Sequence, residues 1–400
     1  MIKLFLKFLN SFSYAYYYRK NYKIYSIFLY IKLFKRISSG KLNTFPYPSL
    51  EVKKFTFKFL NFINAKYGVC VTNGSDAMRV ALKCISTKPH DEVIFSSITY
   101  HTTASVALEL GLKPIFVDCN PKDLSMDLDD LKKKITKKTK AIVIVYLGSS
   151  VFKLDKIKEI CRKKNIILIE DCAHTHCAKI NNKSVGTIGD FGVYSFQQSK
   201  LISSGEGGFL IIKKKEDYYK CLSLINCGRK YQKPFNSLGT NLRMTNYQAI
   251  ILEYKFKKFI NKISSINNNI NYLNKEISKI RELNPLVYNK NYNSKTAYYY
   301  PIIFNKDESK KIDRDKFIKR CNEYGLNFKY KLYDPVYLNP EFGYLDTNLK
   351  YSYKKGYCKN TENKVLNNFV WIDYINVCKN KFFLFIILKT IKKILSEAQK

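Results

Sequence analysis

No stretch of this 400-residue chain approaches the ~20 consecutive apolar residues of a membrane-spanning helix; the longest late run, Phe382 to Leu388, is seven residues. The opening residues Met1 to Leu9 are apolar and basic, but lysines interrupt them and no small-residue cleavage site follows, so a secreted chain is not expected. The eleven cysteines are scattered without regular Cys-x2-Cys pairs and read as reduced, mostly structural thiols of a cytoplasmic protein. A Gly-x4-Gly-Lys-Ser/Thr phosphate loop is missing, and so are a helix-turn-helix or zinc pattern, an internal repeat and a low-complexity linker. Glycine (16) and proline (10) are scarce. Acid is scarce too: 32 Asp and Glu stand against 70 Lys and Arg, a formal net charge of +38. Such a surplus would suit nucleic acid or an anionic membrane. However, the chain is 46% hydrophobic and 15% aromatic, far from a disordered basic tail. Its Lys, Asn, Ile, Tyr and Phe are the residues that AT-rich codons supply, so the charge reads as compositional and nucleic acid is not an expected partner. Steering of anionic ligands follows from it all the same.

The length corresponds to about two to three domain equivalents, ample for a large core. Residues 1–36 are basic and aromatic, with tyrosines clustered from Tyr14 to Tyr18. They are expected to form one or two amphipathic helices packed on the body, in preference to contact with a membrane surface. From Tyr67 onward, strands of four to six residues alternate with helices of roughly ten, the pattern of a mostly parallel sheet covered on both faces. The texture changes after about residue 250. Glu253 to Arg281 reads as one long lysine-rich helix, Ala297 to Phe304 as a strand, and Lys381 to Gln399 as a terminal helix. The expected division is a basic segment 1–36, a large α/β domain 37–254, and a small α+β domain 255–400.

Chemistry in such a sheet collects at the carboxyl ends of the strands, where four polar segments fall. In Thr72-Asn73-Gly74-Ser75-Asp76, backbone amides at a helix start can hold a phosphate, although an ordinary capping turn has the same residues. Glu170 to Cys177 is dense in Cys, His and Asp, but no second cluster closes a tetrahedron, so no metal is expected. Tyr194 to Gly208 places Lys200 between a buried strand and a glycine-rich turn. Gly239 to Met244 precedes a helix capped at Thr245 or Asn246. A lysine, an aspartate at a strand end and a phosphate cup are the minimum set for pyridoxal phosphate.

The ordered stretches Val71-Thr72-Asn73-Gly74-Ser75-Asp76-Ala77-Met78, Phe116-Val117-Asp118, Glu170-Asp171-Cys172-Ala173-His174, Tyr194 to Lys200, Gly205-Glu206-Gly207-Gly208 and Asn241-Leu242-Arg243-Met244 resemble the DegT-like sugar aminotransferases, fold-type I pyridoxal phosphate enzymes. The resemblance is strong over residues 67 to about 250, weaker to about 395, and absent over 1–36. It implies a large mostly parallel α/β domain with a smaller α+β domain, and it assigns roles. Lys200 matches the Schiff-base lysine and Asp171 the carboxylate against the pyridine nitrogen. His174 and Tyr100 match groups beside the cofactor ring, and Gly74, Ser75 and Ser195 match phosphate ligands. Asn241 matches a phosphate contact from the other subunit of a homodimer. Departures are Ser75 for a threonine, Val145 for a histidine, and Asn226-Cys227-Gly228 for Asn-His-Gly; none removes a catalytic group.

The family moves an amino group from glutamate or glutamine to a keto-sugar. A nucleotide-linked keto-hexose for surface polysaccharide or amino-sugar synthesis is the first expectation for the acceptor. A scyllo-inosose-type cyclitol is the second, on the stretches Asp171 to His174, Ser195 to Lys200 and Val370-Trp371-Ile372. Sugar dehydratases of the family carry histidine in place of the lysine, so Lys200 argues against that reaction. A non-enzymatic basic protein that binds membrane or nucleic acid is the rival outside enzymology.

Overall fold

The structure is a computed structural model that describes residues 2–18, 27–40, 47–149, 153–230, 233–235, 238–287, 291–309, 311–339, 342, 353–373 and 380–399. Part of the amino-terminal segment, including the side chains of the Tyr14 to Tyr18 cluster, lies outside what is described. Near-continuous apolar runs such as Ala141 to Val145, short and rich in β-branched residues, form strands in a sheet covered on both faces. Seven of them, β1 (Tyr67–Val71), β2 (Glu92–Ser96), β3 (Lys113–Val117), β4 (Thr139–Val145), β5 (Ile167–Asp171), β6 (Phe191–Ser195) and β7 (Gly208–Ile212), lie in the order β1-β7-β6-β5-β4-β2-β3. Only β7 runs against the rest, pairing antiparallel with β1 and β6. Six carboxyl ends therefore share one edge.

The helices of this region are α1 (Ile2–Tyr18), α2 (Ile27–Ser38), α3 (Leu50–Ile63), α4 (Gly74–Cys84), α5 (Thr102–Glu109), α6 (Leu128–Lys134), α7 (Leu154–Lys164) and α8 (Lys215–Ile225). Phe55 and Phe59 of α3 pack on one sheet face with Tyr194, Phe196 and Phe209, at ring separations of 4.8–6.4 Å. Met78 and Ala81 of α4, Val106 of α5 and Leu224 of α8 share a second core on the other face with Ile169 and Val193. The ten cysteines among the described residues are free, and burial raises the Cys70 and Cys161 thiols to about 12.

Beyond the sheet, α9 (Asn246–Ile260) opens on a capping box made by Thr245 and Gln248. The single helix expected over Glu253 to Arg281 is instead two, α9 and α10 (Ile263–Ile277), separated at Asn261 and Lys262. Phe256 and Phe259 before the break and Ile266, Ile270, Leu273 and Ile277 after it are all buried. The change of direction lets both apolar stripes face the body. A second, antiparallel sheet follows, made of β8 (Leu283–Pro285), β9 (Tyr299–Phe304), β10 (Phe328–Lys329) and β11 (Phe369–Asp373) in the order β8-β9-β11-β10. Helices α11 (Arg314–Glu323) and α12 (Lys381–Gln399) pack together beside it.

Side chains alternate along a strand, so the adjacent carboxylates at the end of β5 point opposite ways. Glu170, with no exposed surface, accepts from the amides of Gly186 (2.8 Å), Ile188 (2.7 Å) and Gly189 (2.6 Å) and from the Tyr146 hydroxyl (2.5 Å). These bonds hold the entry to β6 against β5. Glu170→Ala would leave three buried amides unpaired and is expected to destabilise the protein by about 3–5 kcal/mol, read from urea unfolding.

Candidate active site

At the edge where the strands end, a cleft of about 780 Å³ opens, lined from both sheets. Its floor begins at the turn from β1 into α4. Asn73, extended at φ −160°, caps α4 by accepting from the Asp76 amide (2.8 Å). Asp76 in turn takes bonds from Thr72, Asn73 and Arg79, and Arg79 also reaches Glu109 at 2.6 Å. This fixed cap leaves the amides of Gly74 and Ser75 at an open helix N-terminus, an anion-binding geometry. A side chain at residue 74 would not fit, since a Cβ there would lie 2.8 Å from Ser195 Cβ. Ser75 Oγ donates to Thr102 Oγ1 at 3.0 Å. The cup thus lies between the α4 start and the end of β6.

Asp171 leaves β5 on the cleft side and is 5% exposed. It accepts from the Ala173 amide (3.0 Å) and from Thr103 Oγ1 (3.1 Å). Burial holds its carboxyl above the usual carboxylate range, against the pull of the Ala173 amide, the Lys200 charge and Thr103. Lys200 lines the same cleft. Burial pulls its amine down to about 8, opposed by the Asp171 charge. Its Nζ lies 4.5 Å from the centroid of the Tyr298 ring, a cation–π contact. The loop that carries Lys200 is held by His176, whose Nδ1 accepts from the Ile202 amide at 3.2 Å. Burial drops His176 to about 3, so this acceptor stays neutral.

His174 is buried above the cleft floor, and burial together with the Lys200 charge keeps it neutral. Its Nε2 shares a 2.8 Å hydrogen bond with the Tyr333 hydroxyl, while its Nδ1 is buried without a partner. Tyr298 crosses the His174 ring edge-on at 5.0 Å and donates to Ser199 Oγ at 2.7 Å. Tyr100 is half-exposed at the mouth, 5.9 Å from the Tyr333 ring.

Seven of the eight residues expected from the sequence, Gly74, Ser75, Tyr100, Asp171, His174, Ser195 and Lys200, therefore line one cleft. The eighth, Asn241, is exposed, bridges to Asn226 and stands outside the cleft of its own chain. Arg243, two residues on, donates to Asn226 Oδ1 at 3.0 Å and to Cys227 Sγ at 3.6 Å. Sequence reasoning missed Thr103, Arg79, Tyr298, Tyr333, Lys329 and Lys331, all of which line the cleft. Thr103 stood three residues after Tyr100 at a helix start. The tyrosines and lysines in and beside the second sheet had no signal in a chain with 32 tyrosines and so many lysines.

Residues 36–376 match the model of the DegT/DnrJ/EryC1/StrS aminotransferase family. The chain belongs to this family. As an enzyme of this family it is a pyridoxal-phosphate-dependent aminotransferase. A protein of Streptoalloteichus tenebrarius, provisionally named L-glutamine:3-amino-2,3-dideoxy-scyllo-inosose aminotransferase, is 31% identical over 313 residues, covering 76% of this chain and 75% of its own. The GDP-perosamine synthase of Escherichia coli O157:H7 is 35% identical over 202 residues, 50% of this chain and 56% of its own. Among solved structures, the E. coli GDP-4-keto-6-deoxy-D-mannose-3-dehydratase with bound hydrated PLP has a TM-score of 0.80 at 22% identity, covering 93% of this chain and 97% of its own. At that identity the likeness is one of fold.

The residues present suit the aminotransferase's cofactor. The cup has no room for a side chain at residue 74, and the buried Asp171 carboxylate has two hydrogen-bond donors among the described residues and is pushed toward protonation. A cationic ring nitrogen would relieve that burial cost. Only the neutral amine attacks an aldehyde. Capture of pyridoxal phosphate by the apoprotein at Lys200 is therefore expected to rise with pH through a midpoint near 8 instead of 10.5. Borohydride trapping over a pH series, with peptide mapping, measures this. In Asp171→Asn the midpoint moves lower, because the carboxylate supports the charged amine.

Proposed function

We propose that this aminotransferase moves an amino group from glutamate or glutamine to a keto-sugar, with Lys200 as the covalent anchor and proton carrier. The observation that carries the reading is Lys200 and Asp171 lining one cleft that also holds an open helix N-terminus. When bound, pyridoxal phosphate supplies an electron sink next to the amino carbon. Asp171 keeps a proton on the ring nitrogen by charge pairing in a low-dielectric wall. The Gly74 and Ser75 amides and the Ser75 and Ser195 hydroxyls hold the phosphate, so binding energy remote from the chemistry orients the reacting carbon. His174 and Tyr100 confine the ring face. The Lys200 amine, once free, takes a proton from the substrate carbon and returns it nearby, and the burial that lowers its hold on that proton favours the return. Asn241 reaches the phosphate of a second copy, which makes a homodimer the working unit.

Lys200→Ala is expected to abolish the yellow visible band and all turnover. Asp171→Ala is expected to keep some band but lose about 10²-fold or more in kcat. In the unmodified protein, glutamate or glutamine without acceptor should bleach the band; turnover of a sugar without that half-reaction would indicate a dehydratase. Mixing Lys200→Ala with Asn241→Ala should restore activity, because one of the mixed dimer's sites then has both residues; no rescue would argue against a shared site.

A nucleotide-linked keto-hexose is the acceptor we favour. Lys329, at the end of β10 and donating to the Tyr299 hydroxyl, and Lys331, just after the strand and paired with Asp334, put cationic groups on the cleft wall where a diphosphate could reach them, and the +38 charge adds long-range attraction. The second reading, a keto-cyclitol taking nitrogen from glutamine, is supported by the Streptoalloteichus relative, which matches three quarters of both chains. An amination screen with nucleotide-linked keto-hexoses and scyllo-inosose separates them. On the first reading Lys329→Ala raises KM for the nucleotide sugar about tenfold or more and leaves the donor half-reaction unchanged. Turnover of scyllo-inosose alone reverses the order.

A further inference from the structure

Helix α2 has two apolar faces, and the body of the protein covers one. Leu29 is buried, with Leu33 and Arg36 partly covered on the same side, and the helix packs along α9. Lys32 and Arg36 pair with Glu253 and Glu51. The other face carries Ile27, Tyr30, Ile31, Phe34 and Ile37, spaced i, i+3, i+4, i+7 and i+10, which is a single stripe along a helix. All five side chains are 43–68% exposed.

Helix α1 repeats the arrangement. Its Leu6 and Asn10 are buried where it packs beside α12, and Asn10 Nδ2 donates to the Tyr324 carbonyl at 2.9 Å. Leu4, Phe5 and Phe8 on the far side are 78%, 60% and 63% exposed. Apolar stripes more than two-fifths exposed on two separate helices mark an interaction surface.

Charge identifies the occupant. The first fifty residues contain nine Lys and Arg and no Asp or Glu. A second copy of this chain meeting the stripe across a two-fold axis would set these cations against themselves. An anionic bilayer surface offers the opposite charge and an apolar layer beneath it. The geometry is interfacial, since α2 has twelve residues and no described helix is long and apolar enough to cross a membrane. We propose that the exposed stripes of α1 and α2 seat in the surface of an anionic membrane, docking the enzyme there as a peripheral protein through helices that are also fixed to its body. This inference does not depend on the identity of the acceptor.

The test is flotation of the full-length holoenzyme with vesicles of phosphatidylcholine plus phosphatidylglycerol, and with phosphatidylcholine alone. Binding is expected to the anionic vesicles, to weaken with added salt, and to fall about tenfold or more in the double variant Ile31→Ser, Phe34→Ser. That variant should keep its thermal midpoint, its mass in solution and its turnover. Should it fail to fold, Lys35→Glu, at an exposed position outside the packed face, is expected to weaken flotation by itself. No flotation with anionic vesicles, equal flotation with neutral ones, or retention by the folded variants would overturn the proposal. A halved solution mass in the double variant would overturn it too, by showing that the stripe joins two copies of the chain.

Discussion

Alternation along one strand separates the two carboxylates at the end of β5, and what each meets decides its part. Glu170 turns into the core, where burial pushes its carboxyl up against the pull of three amides and a hydroxyl, and those four bonds hold the entry to β6. Asp171 turns to the cleft, where two donors leave it under-supplied for a buried carboxylate. One residue secures the scaffold, and its neighbour is left with electrostatic demand that a cationic group can meet. The parallel register then brings β4 and β6 alongside, so that Val145 and Val193 flank Asp171 and the loop after β6 delivers Lys200 to the same cleft.

The rest of the molecule supports this edge. Because β7 enters the sheet between β1 and β6, the start of β7 comes against the cup, and Gly208 packs so closely on Asn73 that a Cβ would lie 2.2 Å from its carbonyl oxygen. Close backbone approach keeps the phosphate cup narrow. His176, in a stretch whose composition suggested a metal, acts as a neutral strut beneath the lysine loop. The residues just before β9 and just after β10 of the second sheet supply the aromatic wall. Tyr298 faces the lysine and Tyr333 the histidine, so movement of that sheet would be felt at both groups at once.

The amino-terminal helices follow a separate logic. They are tied to the body by ion pairs and small buried patches, yet they keep a second apolar side in water. A segment selected only for packing would place polar residues there. Burial of one face and exposure of another divides the work between attachment to the enzyme and contact with a surface.

Much of this was legible before any fold was known. Runs such as Ile142 to Val145, short and wholly β-branched, favour strands covered on both faces, and the polar breaks at Asn73, Asp171 and Lys200 stand out against them. Local chemistry also narrows a helix cap to Thr245 or Asn246, of which the structure uses Thr245, and identifies the terminal helix Lys381–Gln399. What the sequence could not decide are contacts between distant segments. Tyr298 and Tyr333 reach the cleft only because an antiparallel sheet folds over the strand ends, and nothing in their neighbours distinguishes them from other tyrosines. The break at Asn261 carries no proline or glycine, and apolar residues of both halves are buried across it. Periodicity is a property of neighbours a few residues apart and survives in the chain itself, whereas which face is covered depends on packing partners that only the tertiary structure brings together.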